Sequence, residues 1–337
     1  MILGLLALRE APLPTPALLY RTPNSISAPE WRNGEWYWLE TSKKPMSQLV
    51  RTKASTTQVL FSGTVITGYA VGEKKLASVQ KDGKNWEVKI ENLDASDEHV
   101  IWSGEREPHG IWLSDGKIFW MLNSPPKAKD ALPFPTLEGA LQLVSMPEET
   151  KANSGAKPDL IATLPERMGE QFIGVAQGEA VVSCFREGGI GVTAIYRIDL
   201  KTGKYNRIAG EIGRRRALTA KRGDLYWVGS SLEAATSYSI ASIHRIKQSS
   251  DNAASKTETL TDMLPAGGSL FETANGIIYI DGNQQPQLWR LGAKGDADQA
   301  MKEPEGYFYV AAEGQDALLQ STLPVNGSNS LHRMRLP

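Results

Sequence analysis

The chain has a single cysteine, Cys184, in 337 residues. An internal disulfide is therefore excluded, and so is a zinc site built on cysteines. An excess of one charge is missing as well: 37 Lys and Arg stand against 38 Asp and Glu, a net charge of −1. General nucleic-acid binders carry a basic excess, so no nucleic-acid partner is expected. The same balance argues against an acidic disordered shell. No apolar run approaches the ~20 residues that a membrane-spanning helix needs, so no transmembrane segment is expected. Histidine is scarce, with four in all, and no pair of them has the helical spacing of a metal site.

The apolar stretch Ile2 to Leu8 stops at Arg9 and lacks a basic start. It reads either as the remnant of an export signal or as a tail whose leucines cover the fold. Residues 1–15 are set apart on that ground, and the export reading points to an extracytoplasmic location, periplasmic or secreted. Residues 16–337 read as one domain, monomeric outside any larger assembly.

Glycine organises the rest. Gly34, Gly72, Gly116, Gly178, Gly223, Gly276 and Gly314 recur at spacings of 38, 44, 62, 45, 53 and 38 residues. Each stands where a tight hairpin would call for φ > 0. Four positions beyond them lie Trp38, Leu76, Trp120, Val182, Trp227, Ile280 and Leu318, all apolar. Two positions beyond, only Lys74 and Asp316 break an apolar series. This period of two marks a strand with one buried face. Further along each unit comes a third strand; in five units a basic residue precedes an apolar one, at Lys89-Ile90, Arg197-Ile198, Arg245-Ile246, Arg290-Leu291 and Arg333-Met334, and Arg51-Thr52 and Ser145-Met146 hold the same place more loosely. Those basic residues read as a polar face with buried stems. A fourth strand follows in most units, is poor in the sixth near DADQAMKE and is absent from the seventh, which ends at LHRMRLP. The surplus strand PALLYRT, at 16–22, supplies it from the other end of the chain.

The pattern is that of an all-β fold, a seven-bladed β-propeller of four-stranded antiparallel blades. The ring closes where the N-terminal strand pairs with the C-terminal blade. The blades fall near 29–63, 64–104, 105–165, 166–211, 212–264, 265–304 and 305–337 with 16–22. Long inserts at 124–139 and 147–158 interrupt the third. The segment IYRIDLKTGKYNRI, with Asp199, Thr202 and Gly203 at its turn, resembles the strand–turn–strand hairpin of TolB-like and PQQ-propeller-like repeats. The resemblance is to the β-propeller superfamily and to no specific family within it. Gly-His and Trp-Asp signatures of WD-repeat blades are absent. Tyr205 and Asn206 follow Lys204 where the PQQ repeat would place a tryptophan, so no bound cofactor is implied.

Propellers host enzymes, lectins and scaffolds alike, so function must be argued from a site. The loops leading into the first strand of each blade would open near the central axis. Their ionisable groups concentrate in the third to fifth: Glu105, Arg106, Glu107, His109, Glu166, Arg167, Glu170, Arg214, Arg215 and Arg216. Glu105, Glu107, His109, Glu166 and Glu170 are the candidates for acid–base work or for holding a divalent cation. Arg167 and Arg214 to Arg216 are candidates to clamp a carboxylate or phosphate, the alternative being a solvated rim of salt bridges. Trp31 and Trp112, in first strands, could offer a stacking surface for a sugar or peptide, or pack between blades. His244 and His332 share one repeat position and read as structural; Cys184 reads as an inert buried thiol. The function expected is a non-catalytic binding or scaffold module facing a protein or an oligosaccharide. The alternative is a hydrolase or lyase acting on a glycan or lactone at the channel mouth.

Overall fold

The structure is a computed structural model. It describes residues 14–336 except 43–45, 54–55, 95, 124–140, 152–153, 166–167, 177, 186–191, 213–216, 220–223, 230–239, 248–256, 266–267, 274–275, 282–286, 292–296, 302–303 and 324–326. The N-terminal tail, the insert at 124–139 and the glycine at 223 thus lie outside or almost outside the described residues.

Strand β1 (Ala17–Thr22) stands apart from the blade that follows it. Blade 1 holds β2 (Ser25–Arg32), β3 (Glu35–Thr41), β4 (Ser47–Lys53) and the first half of β5 (Thr56–Val71). Blade 2 holds the second half of β5, β6 (Lys75–Asp82), β7 (Asn85–Asn92) and β8 (His99–Gly104). Blade 3 is β9 (Pro108–Ser114), β10 (Lys117–Asn123), β11 (Leu141–Pro147) and β12 (Asp159–Leu164). Blade 4 is β13 (Met168–Ala176), β14 (Glu179–Phe185), β15 (Val192–Asp199) and β16 (Tyr205–Ile212). Blade 5 is β17 (Ala217–Thr219), β18 (Leu225–Gly229), β19 (Ile240–Ile246) and β20 (Thr257–Pro265). Blade 6 is β21 (Ser269–Thr273), β22 (Gly276–Ile280), β23 (Leu288–Leu291) and β24 (Ala297–Met301). Blade 7 joins β25 (Tyr307–Glu313), β26 (Asp316–Ser321) and β27 (Asn329–Arg335) to β1, which pairs antiparallel with β27 from Ala17 opposite Arg333 to Thr22 opposite Asn329. The seven-bladed ring is closed by the N-terminal strand, which covers the outer edge of β27.

The repeat positions explain why these residues stack. All seven residues four beyond the glycines are buried, Trp38, Leu76, Trp120, Val182 and Leu318 completely so. Seven apolar clusters result, one at each junction between neighbouring blades. Trp36, Trp38 and Val50 of blade 1 meet Ala311, Leu318 and Leu331 of blade 7 at the seam. Emptying such a position, as in Trp38→Ala, typically costs about 3–5 kcal/mol.

The basic residue of the third strand meets a carboxylate across the sheet in five blades. Arg51 reaches Glu35 at 3.5 Å, Lys89 reaches Glu98 at 3.2 Å, Arg197 reaches Glu179 at 3.4 Å, Arg245 reaches Glu258 at 2.6 Å and Arg333 reaches Asp316 at 2.8 Å. Asp316, an exception in the sequence pattern, is thereby accounted for as the partner of Arg333.

Three expectations need correction. First, the chain runs from blade 1 into blade 2 without a loop: β5 is one 16-residue strand across the expected boundary at 63/64. Its first half pairs with β4 and its second with β6, so an extended chain alone spans the step between blades. Second, blade 1 begins at Ser25 rather than at 29, because PNSISAPE is mostly strand. Third, Gly72 is absent from the positive-φ residues that include Gly34, Gly116, Gly178, Gly276 and Gly314. Its requirement is space: an added Cβ would lie 3.3 Å from Leu113 of blade 3 and from the Lys75 carbonyl.

Gly203 carries both demands. Its φ is +68°, and a Cβ there would sit 2.2 Å from the Ile161 carbonyl of blade 3. Asp199 Oδ1 accepts the Lys201 and Thr202 amides at 2.8 Å and so sets the turn that presses Gly203 against its neighbour. Gly203→Ala should therefore lower stability by roughly 1–3 kcal/mol, read by urea denaturation. An unchanged midpoint would mean the hairpin is not pinned to blade 3.

Candidate functional site

Around the axis the first strands of neighbouring blades lie against one another from β5 through β25 to β2, while β2 and β5 stand further apart. Within blades 1 to 3 they enclose a cavity of about 1050 Å³. It runs along β2, β5 and β9 to the turns that follow them, at Asn33, at Gly72 to Lys75 and at Asp115 to Gly116. Asn33 and Asp115 have φ of +53° and +52° and are each followed by a positive-φ glycine, the pattern of the Asn-Gly and Asp-Gly hairpin. Asn33 Nδ2 donates to the Gly72 carbonyl at 2.9 Å, and Lys75 Nζ donates to Glu148 O at 3.1 Å and to Glu149 Oε1 at 2.6 Å. These bonds tie the three turns into one rim.

Each of the three wall strands is bulged. Ala28 and Pro29 fall out of register between Ser27 and Glu30, Thr67 between Ile66 and Gly68, and Gly110 between His109 and Ile111. Ala28, Pro29, Thr67 and Gly110 all line the cavity. Bulges leave a residue unpaired in the ladder and re-aim what stands beside it, which is why they collect near binding sites. Ala28 is also held at φ +48°, where a Cβ is disfavoured. Tyr69 Oη secures it by donating to the Ala28 carbonyl at 2.5 Å, with the Tyr37 carbonyl 3.1 Å away. Burial pushes the Tyr69 phenol well above its usual pKa, Glu30 and Tyr37 adding to the effect, so it remains a donor.

Beyond the bulge stand Glu30 and Arg32, two residues apart on one face of β2. Arg32 Nε donates to Glu30 Oε1 at 2.8 Å, and its guanidinium carbon lies 5.6 Å from the Trp112 ring centre. Burial raises the Glu30 pKa, and the Arg32 charge opposes that rise. Even so, 28% of the Glu30 side chain and 40% of the Arg32 side chain remain exposed, facing the channel.

The residues singled out from the sequence distribute unevenly around this cavity. Trp112 lines it, while also touching the blade 3–4 cluster. Trp31 points the other way, 5.1 Å from the Trp36 ring and under Arg333 at 5.5 Å, and packs at the seam of blades 1 and 7. Glu105, Arg106 and Glu107 form the turn into β9, at the end of that strand opposite the cavity rim. Arg106 Nη1 donates to Asn123 O at 3.1 Å and to Gln142 Oε1 at 3.2 Å. His109 Nε2 lies 3.0 Å from Asn123 Nδ2. Burial lowers the His109 pKa against the pull of Glu107, which suits a neutral ring accepting from that amide. Arg106 and His109 thus hold the turn onto blade 3. Glu170 falls at the break in register between Gly169 and Gln171 in β13. Glu166, Arg167, Arg214, Arg215 and Arg216 lie outside the described residues. Among the described residues, no three of His, Cys, Asp and Glu come together to hold a metal ion. His244 sits over Trp227 at 5.3 Å and near Thr259 Oγ1, and His332 meets Tyr307 and Ser330 Oγ. Cys184 is buried in the blade 3–4 cluster.

Glu30, Arg32, Thr67 and Tyr69 escaped the sequence reading. Their signal was the i, i+2 acid–base pair before the Asn-Gly turn, whose side chains alternation places on one face. Among the described residues no helix is long and apolar enough to cross a membrane.

No family model matches the chain, and neither does any curated protein sequence. Solved structures do match. An oligogalacturonate lyase in complex with manganese aligns at a TM-score of 0.61 and 13% identity over 95% of this chain and 98% of that one. A Mycobacterium tuberculosis puromycin-hydrolyzing peptidase aligns at 0.65 and 11% identity, covering 97% of this chain and 55% of that one. A prolyl endopeptidase aligns at 0.61 and 14% identity over 94% of this chain; the chain spans 49% of that protein's length. At such identities the likeness is one of fold, and the fold it bears out is the β-propeller.

Proposed function

We propose that the propeller is a non-catalytic binding module whose ligand, an oligosaccharide or a short segment of a protein partner, seats in the channel cavity of blades 1 to 3. The observation that carries this reading is the Arg32 guanidinium, fixed between Glu30 and the Trp112 ring and facing a cavity whose three walls are bulged. Ligand pockets are concave, of roughly 300–1,000 Å³, with a few placed polar groups among apolar ones. At about 1050 Å³ the cavity stands at the upper end of that range.

The test is a thermal-shift screen of the full chain against oligosaccharides and peptides, since a ligand of the native state raises the melting temperature by mass action. Thr67 is exposed in the cavity wall. Thr67→Trp should fill the space, abolish the shift and leave the unliganded melting temperature within a few degrees of the parent. A ligand whose shift survives Thr67→Trp would place binding elsewhere on the ring.

A second reading, a lyase or hydrolase acting on a glycan, is favoured by one observation: the oligogalacturonate lyase is matched over nearly its whole length, unlike the peptidases. It calls for turnover of an acidic oligosaccharide, with and without manganese, that is lost in a Glu107→Gln, His109→Ala variant. The binding reading expects no turnover in either condition.

A further inference from the structure

We infer that the ligand is anchored in the channel through a carboxylate, gripped by the two terminal nitrogens of Arg32. The inference rests on the binding reading above and specifies its ligand. Only Nε of Arg32 is spent on Glu30. Nη1 and Nη2 have no hydrogen-bond partner among the described residues, and two-fifths of the side chain faces open channel. An arginine held at Nε by an acid and on one face by an indole is fixed in plane, and its outer edge presents two parallel N–H donors. That fork matches a carboxylate in bidentate geometry.

The surrounding charges select among anions. Glu73, Asp115 and Glu148 line the rim with Lys74 and Lys75, and Lys75 is held by Glu149 and the Glu148 carbonyl. Acids at this wall are at least as numerous as bases, so a ligand gains from the Arg32 fork while carrying as little negative charge as possible, and a single carboxylate meets that condition. A phosphate dianion would bring two toward Glu30 and Asp115, so the same fork takes it less well. Cations find no opening at Glu30, whose charge Arg32 already answers and whose carboxyl burial pushes toward neutrality. Near the guanidinium, the exposed Thr67 hydroxyl offers a hydrogen-bonding group to the rest of the ligand.

The experiment is isothermal titration of the full chain with a uronic-acid oligosaccharide, its carboxyl-reduced neutral counterpart, a peptide with a free and with an amidated C-terminus, and inorganic phosphate. An acid should bind at least tenfold tighter than its neutral partner, with phosphate weaker than either acid. Arg32→Gln should lose the preference and Arg32→Lys should weaken it about tenfold, because a lysine cannot make the bidentate pair. Arg32→Gln strands Glu30 and could unsettle the wall, so Glu30→Gln is the companion variant: it keeps the guanidinium and an acceptor for Nε, removes the competing negative charge and should bind the acid as well as the parent or better. Preference for the free peptide over the amide, without saccharide binding, would keep the carboxylate and identify a chain terminus as its source. Equal binding of acid and neutral forms, untouched by Arg32→Gln, would overturn the carboxylate while leaving the cavity a binding site. No binding by any probe would overturn both.

Discussion

Glu40→Ala should open the ring where its ends meet, with a loss of stability of about 3–5 kcal/mol. Glu40 is 1% exposed in β3, yet its carboxylate accepts three hydrogen bonds: from Thr22 Oγ1 at 2.8 Å, Asn24 Nδ2 at 3.0 Å and Trp38 Nε1 at 3.1 Å. Thr22 ends the closing strand and Asn24 lies in the two-residue link to blade 1. One carboxylate therefore ties the N-terminal strand, its link and the core tryptophan of blade 1 together. Removing it leaves buried donors without acceptors, each costing about 1–3 kcal/mol. Among the described residues the core tryptophans of blades 3 and 5 have no such partner: Trp120 Nε1 and Trp227 Nε1 are buried without a hydrogen bond there, and Leu122 and Gly229 occupy the positions matching Glu40. The clamp belongs to the seam. Urea denaturation reads the loss, and limited proteolysis between residues 14 and 24 reads the release of β1. Glu40→Gln, which keeps the shape and one acceptor, should fall between. A midpoint within 0.5 kcal/mol of the parent, with unaltered proteolysis, would show that β1 holds without the clamp.

The second large effect is a dependence of stability on pH centred on Glu91. It is 3% exposed in β7, and its Oε1 has no hydrogen-bond partner among the described residues. Burial raises its pKa to about 7; Glu98 and Asp94 add to the rise, and Arg51 of blade 1 opposes it. The folded protein therefore holds this proton more tightly than the unfolded chain, whose carboxyl titrates near 4.3. The stability linked to Glu91 is complete below that lower pH. It declines as pH rises toward 7 and levels off above, where the buried carboxylate is charged. The full shift would correspond to about 4 kcal/mol, and solvent screening around a group near Arg51, Asp94 and Glu98 brings the expectation to roughly 1–2 kcal/mol. Glu91→Gln should accordingly match the parent at pH 4.5 and exceed it by that amount at pH 8. Denaturation at the two pH values is the measurement. A constant difference at both would mean that the substitution acts through packing and not through the proton.

Much of the fold was legible because a propeller repeats one local problem seven times. A turn glycine, an apolar residue four places on and a basic residue before an apolar one are each consequences of a short strand with one buried face. Repetition let weak signals add, and the missing strand after Met334 pointed to 16–22. The step from blade 1 to blade 2 was not legible, since an uninterrupted strand and a short loop share the same residues around Ser62 to Thr64. The site was less legible still. Charge clusters drew attention to Glu105, Glu107 and His109, but charge in a loop is as often spent on structure, as Arg106 and His109 are on Asn123.

By itself the sequence determined the four-stranded make-up and the order of the blades and the closure of the ring, because alternation and turn chemistry act over a few residues at a time. Tertiary structure alone decided that Glu30, Arg32, Tyr69 and Trp112, drawn from three blades, face one cavity, and that Glu40 is a clamp rather than a surface acid. Those facts depend on bulges and on how neighbouring sheets meet around an axis. No run of residues along one strand encodes the distance to a side chain on another blade.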